Sequence, residues 1–195
     1  ISALQILKQN KTTIPKGITR DYPKYEVRGF MLDVGRKSFD FNTVKEFAKN
    51  MAWYKMNNFH LHLSDNLIFL EDYPTMQDAI DNAYAGFRLE SEIPNLTSED
   101  TYYTKEEFRS FIKDSRNMGV NIIPEFDMPA HALAITRAFP NLMTKEAGGN
   151  HRYLIEELDI RKDGALDAAK SVWAQYFQGD DPVFDKDTTV HIGTD

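Results

Sequence analysis

Four short apolar runs, at residues 30–34, 58–63, 120–126 and 189–193, alternate with longer stretches whose apolar residues recur at helical spacing. Strands that read as near-continuous apolar runs are buried on both faces, and when helices separate them they form a parallel sheet covered by those helices. Two α/β architectures meet the pattern: an open doubly wound sheet and a parallel (β/α) barrel. Periodicity does not separate them. Both place ligands beyond the C-terminal ends of the strands. No G-x-G-x-x-G follows the first run, which weighs against the dinucleotide-binding version.

The helical stretches carry their own signals. Thr43 and Glu46 have the spacing of a capping box, followed by Val44, Phe47, Ala48, Met51 and Ala52 on one face, with an end expected near Met56. A second box, Thr104 with Glu107, opens a helix whose stripe is Phe108, Phe111 and Ile112 and whose stop is Gly119. Pro129 permits a short helix start. Leu166, Ala169, Val172, Trp173 and Tyr176 mark the apolar face of a last helix. Residues 64–103 show no sustained period. With Tyr73, Tyr84, Phe87, Arg88, Tyr102 and Tyr103 among them, they are expected to form a folded binding loop. Residues 1–24 read as a helix end, through Ala3, Leu4, Ile6 and Leu7, and a linker from a preceding domain. Ile1 opens no signal-peptide pattern and reads as a start in mid-protein.

A formal net charge of −7 argues against nucleic acid as a partner, because a phosphate backbone calls for a basic footprint. A neutral, hydroxyl-rich ligand suits this charge. No apolar run reaches the length needed for membrane insertion. The chain has no cysteine, so disulfides, thiolate zinc sites and cysteine nucleophiles are excluded.

Gly35-Arg36, Ser64-Asp65, Asp127 and Asp195 all fall just past predicted strand ends. Asp65 can accept hydrogen bonds from a ligand or orient another group; the plainer reading is a cap on the following loop. His60 and His62 form an H-x-H pair on one face of a strand, a way to present two imidazoles to a metal; the plainer reading is a hydrogen-bonded pair inside the fold. Asp127 and His131 flank Pro129, and a carboxylate beside an imidazole suits acid–base or positioning work. The alternative is a helix cap by Asp127 and a buried histidine. Arg36 offers a rigid fork of donors for neighbouring sugar hydroxyls, or merely a surface ion pair. Asp195 is either an acid presented at a strand end or a solvated terminus.

In four stretches, RGFMLDVGR (28–36), MAWYKMNNFHLHLSDN (51–66), IIPEFDMPAH (122–131) and HIGTD (191–195), the chain resembles glycoside hydrolase family 20, the β-N-acetylhexosaminidases. The motifs occur in the family's order, and with the elements between them they span residues 25–195. The WYKMNNF and HLSDN wording is most similar to large surface enzymes of Gram-positive bacteria, which implies a secreted or cell-surface location.

The resemblance implies a (β/α)8 barrel acting on glycans with terminal β-linked N-acetylglucosamine or N-acetylgalactosamine, with no cofactor. Residues 25–195 would be its N-terminal half, an incomplete TIM-type barrel of about four strand–helix units. The family uses substrate assistance: the sugar's own acetamido oxygen attacks the anomeric carbon with retention. By resemblance Asp195 holds the acetamido N–H, Arg36 binds sugar hydroxyls, and Asp65 and His131 form a supporting pair braced by Asp127. The family's acid is a glutamate directly after the aspartate matching Asp195, so the 195 residues by themselves are expected to be inactive and, with parallel edges open, prone to self-association. Asn66 departs from the aspartate many members carry there. Two other readings stay open: a non-catalytic amino-sugar-binding module, and a metal-dependent barrel hydrolase using His60 and His62.

Overall fold

A computed structural model describes residues 1–194 apart from 11, 145, 146, 149–151 and 154. Three parallel strands form its centre: β1 (Gly29–Asp33), β2 (Asn58–His62) and, after a hairpin of β3 (Ser64–Leu67) with β4 (Tyr84–Phe87), β5 (Asn121–Glu125). The sheet order is β1-β2-β5, all parallel, with Asp33 opposite His62 and His62 opposite Glu125. The helices are α1 (Ser2–Asn10), α2 (Phe41–Trp53), α3 (Met76–Asn82), α4 (Lys105–Asn117), α5 (Leu133–Ala138) and α6 (Ala165–Ala174). Among the described residues, no helix is long and apolar enough to cross a membrane.

Strand alternation divides the sheet into two unlike faces. Phe59, Leu61, Leu63, Ile122 and Phe126 point toward the helices and are buried, with Val34 beside them. There Phe47 of α2 stacks on Phe30 at 5.9 Å and approaches Phe59 at 6.3 Å. Val44, Ala48, Met51 and Ala52 complete the buried face of α2, and Phe108, Phe111 and Ile112 that of α4. The residues of opposite parity, Met31, Asp33, His60, His62 and Glu125, share the other face, which carries the polar chemistry.

Several expectations need correction. The cap of α2 is Asp40, whose carboxylate accepts the Thr43 N–H at 3.0 Å; Thr43 lies inside the first turn, and the helix ends at Trp53. The Thr104–Glu107 box is present as expected, with Gly119 at φ 84° after α4. The last helix turns Val172, Trp173 and, just past its end, Tyr176 to the core as expected, but at its start Ala165 and Ala168 face inward and Leu166 is 67% exposed. Residues 189–193 form no ladder. His191 makes a single parallel bridge to Glu125, and Gly193 at φ 45° leaves the extended conformation that a strand requires. The sheet therefore has three strands and one bridge among the described residues, not four strand–helix units.

The aperiodic segment is folded, but much of it is packing. Phe87 stacks on Phe126 at 4.6 Å, Tyr103 is fully buried and donates its hydroxyl to Phe39 O, and Arg88 is 0% exposed. Arg88 donates to the carbonyls of Val34, Gly35 and Thr101 and pairs with Asp100, which locks the hairpin under the turn after β1. Gly86 allows this approach, since a Cβ there would collide with Gly35 O. At the N-terminus, α1 lies against the end of α2, where Gln5 donates to Trp53 O and the Lys8 ammonium sits over the Trp53 ring.

Candidate active site

Asp65 is the meeting point of the site. It sits on β3 just past the end of β2, it is 1% exposed, and each of its oxygens is engaged. Oδ2 accepts from Arg36 Nη2 at 2.7 Å and His62 Nε2 at 2.5 Å; Oδ1 accepts from the Asn66 N–H at 2.6 Å and faces His131 Nδ1 at 3.1 Å. A buried carboxylate is tolerated only when hydrogen-bond partners replace its water, and here Arg36, His62 and the Asn66 N–H do so with His131 beside them. Burial pushes the Asp65 carboxyl up, but the hydrogen bonds from His62 and Asn66 and the charges of His131 and Arg36 outweigh it and hold the group below its ordinary value of 3.8.

Arg36 reaches this carboxylate from the turn after β1. Asp33, the last residue of β1, accepts both the Arg36 N–H and Nη1 at 2.9 Å. The side chain keeps 37% of its surface open, and His131 keeps 34%. Asp65 is thus buried at the floor, whereas Arg36 and His131 are partly open to the hollow. His131 itself lies at φ 55° in the loop before α5.

Asp127, just past β5, is 4% exposed and lies 4.0 Å from His62 Nδ1. Ser64 Oγ accepts its backbone N–H. It does not cap α5, whose N-cap is Ala132. Gly193 packs so closely on the Asp127 carboxyl that any side chain at 193 would collide with it. Asn66 is buried and accepts the Leu133 N–H at the start of α5, a role its amide oxygen fills as well as a carboxylate would. Asp195 lies outside the described residues.

A second carboxylate, Glu125, was not singled out in the sequence. Its Oε2 meets His60 Nε2 and His62 Nδ1, both at 2.7 Å, and its Oε1 meets His191 Nδ1 at 2.5 Å. Burial pushes it up, but hydrogen bonds with His60, His62 and Asp127 hold it well below the usual carboxylate range. His62 is pulled down by burial and raised by Asp65 and Glu125, with a net rise from 6.5 to about 10. His60 and His62 do share one face, as the H-x-H alternation predicts, and they converge on Glu125. Three sets bring ligand atoms within 4.8 Å of one another: His60, Glu125 and His191; Asp33, His62 and Asp65; and His62, Glu125 and Asp127. A cation among them would displace the hydrogen bonds just described.

Arg36, His60, His62, Asp65, Glu125, Asp127 and His131 line one hollow of about 210 Å³. A larger hollow of about 410 Å³ lies between α3, residues 95–100 and α5, where Arg137 is committed to the carbonyls of Ile80 and Ala83. The smaller one gathers histidines and buried carboxyl groups. The carboxyl groups of Asp65, Glu125 and Asp127 line it beside Arg36 and three imidazoles.

The family model for the glycosyl hydrolase family 20 catalytic domain matches residues 25–195. The chain is 30% identical over 153 residues to a beta-hexosaminidase of Akkermansia muciniphila, covering 73% of this chain and 30% of that protein. It is 33% identical over 139 residues to a beta-hexosaminidase of Vibrio furnissii, covering 68% and 22%. The crystal structure of a Flavobacterium johnsoniae chitobiase superposes with a TM-score of 0.61 at 29% identity, over 79% of this chain and 22% of that one. The chain thus spans less than a third of the length of these proteins. Its parallel α/β sheet, the polar row at its strand ends and the match over residues 25–195 lead to one assignment: the chain belongs to glycosyl hydrolase family 20.

Proposed function

We propose that the protein carrying this chain is a β-N-acetylhexosaminidase that removes terminal β-linked N-acetylglucosamine or N-acetylgalactosamine from glycans at the bacterial surface. In this reading the three-stranded sheet is the first part of a (β/α)8 barrel, and the hollow over Asp65 is the floor of its sugar site. The observation that carries it is the convergence of Arg36, Asp65 and His131 at the strand ends, with Arg36 and His131 partly open to the hollow.

The attacking group is the substrate's own acetamido carbonyl, already tethered beside the anomeric carbon, so the protein supplies orientation, charge stabilisation and a proton for the leaving oxygen. Arg36, held by Asp33 and Asp65, presents fixed donors to neighbouring sugar hydroxyls. Asp195, two residues past Gly193, takes the acetamido N–H in this scheme, and Asp127 braces the same strand ends.

The test is hydrolysis of an aryl β-N-acetylglucosaminide by the full-length protein. Turnover with retained configuration is expected, falling roughly 10²–10³-fold in Asp195→Ala. An inactive full-length protein, or activity indifferent to Asp195→Ala, would end this reading.

A further inference from the structure

His62 is 6% exposed at the floor of the hollow and, among the described residues, is the side chain that links the buried carboxylates of Asp65 and Glu125. A neutral imidazole has one N–H and one lone pair. Here both ring nitrogens face carboxylate oxygens, Nε2 at 2.5 Å from Asp65 and Nδ1 at 2.7 Å from Glu125. Rotating the ring changes nothing, because either orientation sets one lone pair against a carboxylate. Nor does a proton on a carboxyl group solve the problem. Asp65 takes the Arg36 guanidinium and the Asn66 N–H, which can only donate. Glu125, ringed by His60, His62 and His191, is held well below the usual carboxylate range, so both act as acceptors toward His62. Every other titratable or charged group in the hollow, Asp33 from β1, Arg36 after it and Asp127 from β5, completes the same balance.

We infer that His62 is a positioning residue: an imidazolium that bridges Glu125 to Asp65 and thereby holds the carboxylate on which Arg36 and His131 depend. Deleting the charge would leave Asp65 and Glu125 buried with less compensation. Asp65 would then turn or take up a proton, and the fork of Arg36 would lose its anchor. The role in sugar binding rests on the hexosaminidase reading; the charge state does not.

Two measurements on the full-length protein keep these apart. Neutron diffraction near about pH 8, above the ordinary histidine range, is expected to show deuterium on both ring nitrogens of His62; a bare nitrogen overturns the inference whether or not the protein is a glycosidase. In His62→Gln, kcat/KM on the aryl glycoside is expected to fall roughly 10–100-fold, as for other outer-shell partners. Its crystal structure should show the Arg36–Asp65–His131 contacts broken, and intact contacts would overturn the positioning role. Should His62→Gln fail to fold, Glu125→Gln serves instead. With one carboxylate neutralised, His62 should lose its second proton on a less alkaline scale, so the alkaline fall in kcat/KM should move to lower pH. An unmoved profile would contradict the bridge.

Discussion

The buried oxygens of Asp65 meet Arg36, His62, the Asn66 N–H and His131, so its charge and its geometry are not separable. Asp65→Asn keeps the volume but swaps an acceptor for a donor that faces Arg36 or His62. Breaking a buried ion pair on one side costs roughly 3–5 kcal/mol, and denaturant unfolding should register a loss of that order. The aryl-glycoside kcat/KM should fall by about 10² or more, because a misplaced orienting group misplaces the reacting geometry. A variant as stable and active as the parent would remove Asp65 from the centre of the site. Arg36, Asp65, Asp127 and His131 are legible in the sequence because each stands just past an apolar run, where α/β folds place ligands. Glu125 is not, because it ends a run that reads as apolar and its three histidine partners come from 60, 62 and 191. The signal was parity: H-x-H on β2 and E-x-D across the end of β5 both put polar groups on the face opposite Phe59 and Ile122.

At the scale of elements, capping chemistry distinguishes the structure from the simpler motif reading of α2. The motif reading assigns the cap to Thr43, whereas the structure gives it to Asp40, whose side chain accepts from both Thr43 N and Oγ1. Asp40→Ala should cost about 1 kcal/mol, and Thr43→Ala distinctly less; the reverse order in denaturant unfolding would restore Thr43 as cap. The motif misled because a T-x-x-E spacing arises by chance inside a helix as readily as at its start, while Asp40 has no glutamate three residues on. The hairpin β3–β4 was hidden for a related reason. Its four-residue strands are too short for a period, and their burial comes from Arg88 and Phe87 packing across the chain rather than from local pattern. Gly86 tests that packing. Gly86→Ala would drive a methyl into Gly35 O, and overpacking of this kind costs roughly 1–3 kcal/mol. Arg36 follows Gly35 directly, so activity should fall with stability.

Over the whole molecule, buried charges make stability depend on pH on both sides. His62, raised from 6.5 to about 10, favours the folded state fully below 6.5 and loses that contribution as pH rises toward about 10. Asp65 and Glu125, held below 3.8 and 4.5, favour it above those values and lose it as pH falls. Denaturant midpoints should therefore be highest between 4.5 and 6.5, and His62→Gln should flatten the alkaline decline. Equal alkaline slopes in both proteins would contradict the charge assignment. The open side of the sheet has a consequence as well. Among the described residues β1 pairs only with β2, and Phe30 and Met31 are 41% and 52% exposed there. The 195 residues expressed alone should self-associate through that edge, and a monodisperse monomer by light scattering would argue otherwise. The central claim is that Arg36, Asp65 and His131 face one amino-sugar ring. Its most direct test is a crystal structure of the full-length protein soaked with N-acetylglucosamine. The account predicts the ring seated at the strand ends, with sugar hydroxyls on the Arg36 guanidinium and Asp65 buried beneath it. A sugar bound elsewhere, with Arg36 still turned only to Asp33 and Asp65, would contradict it.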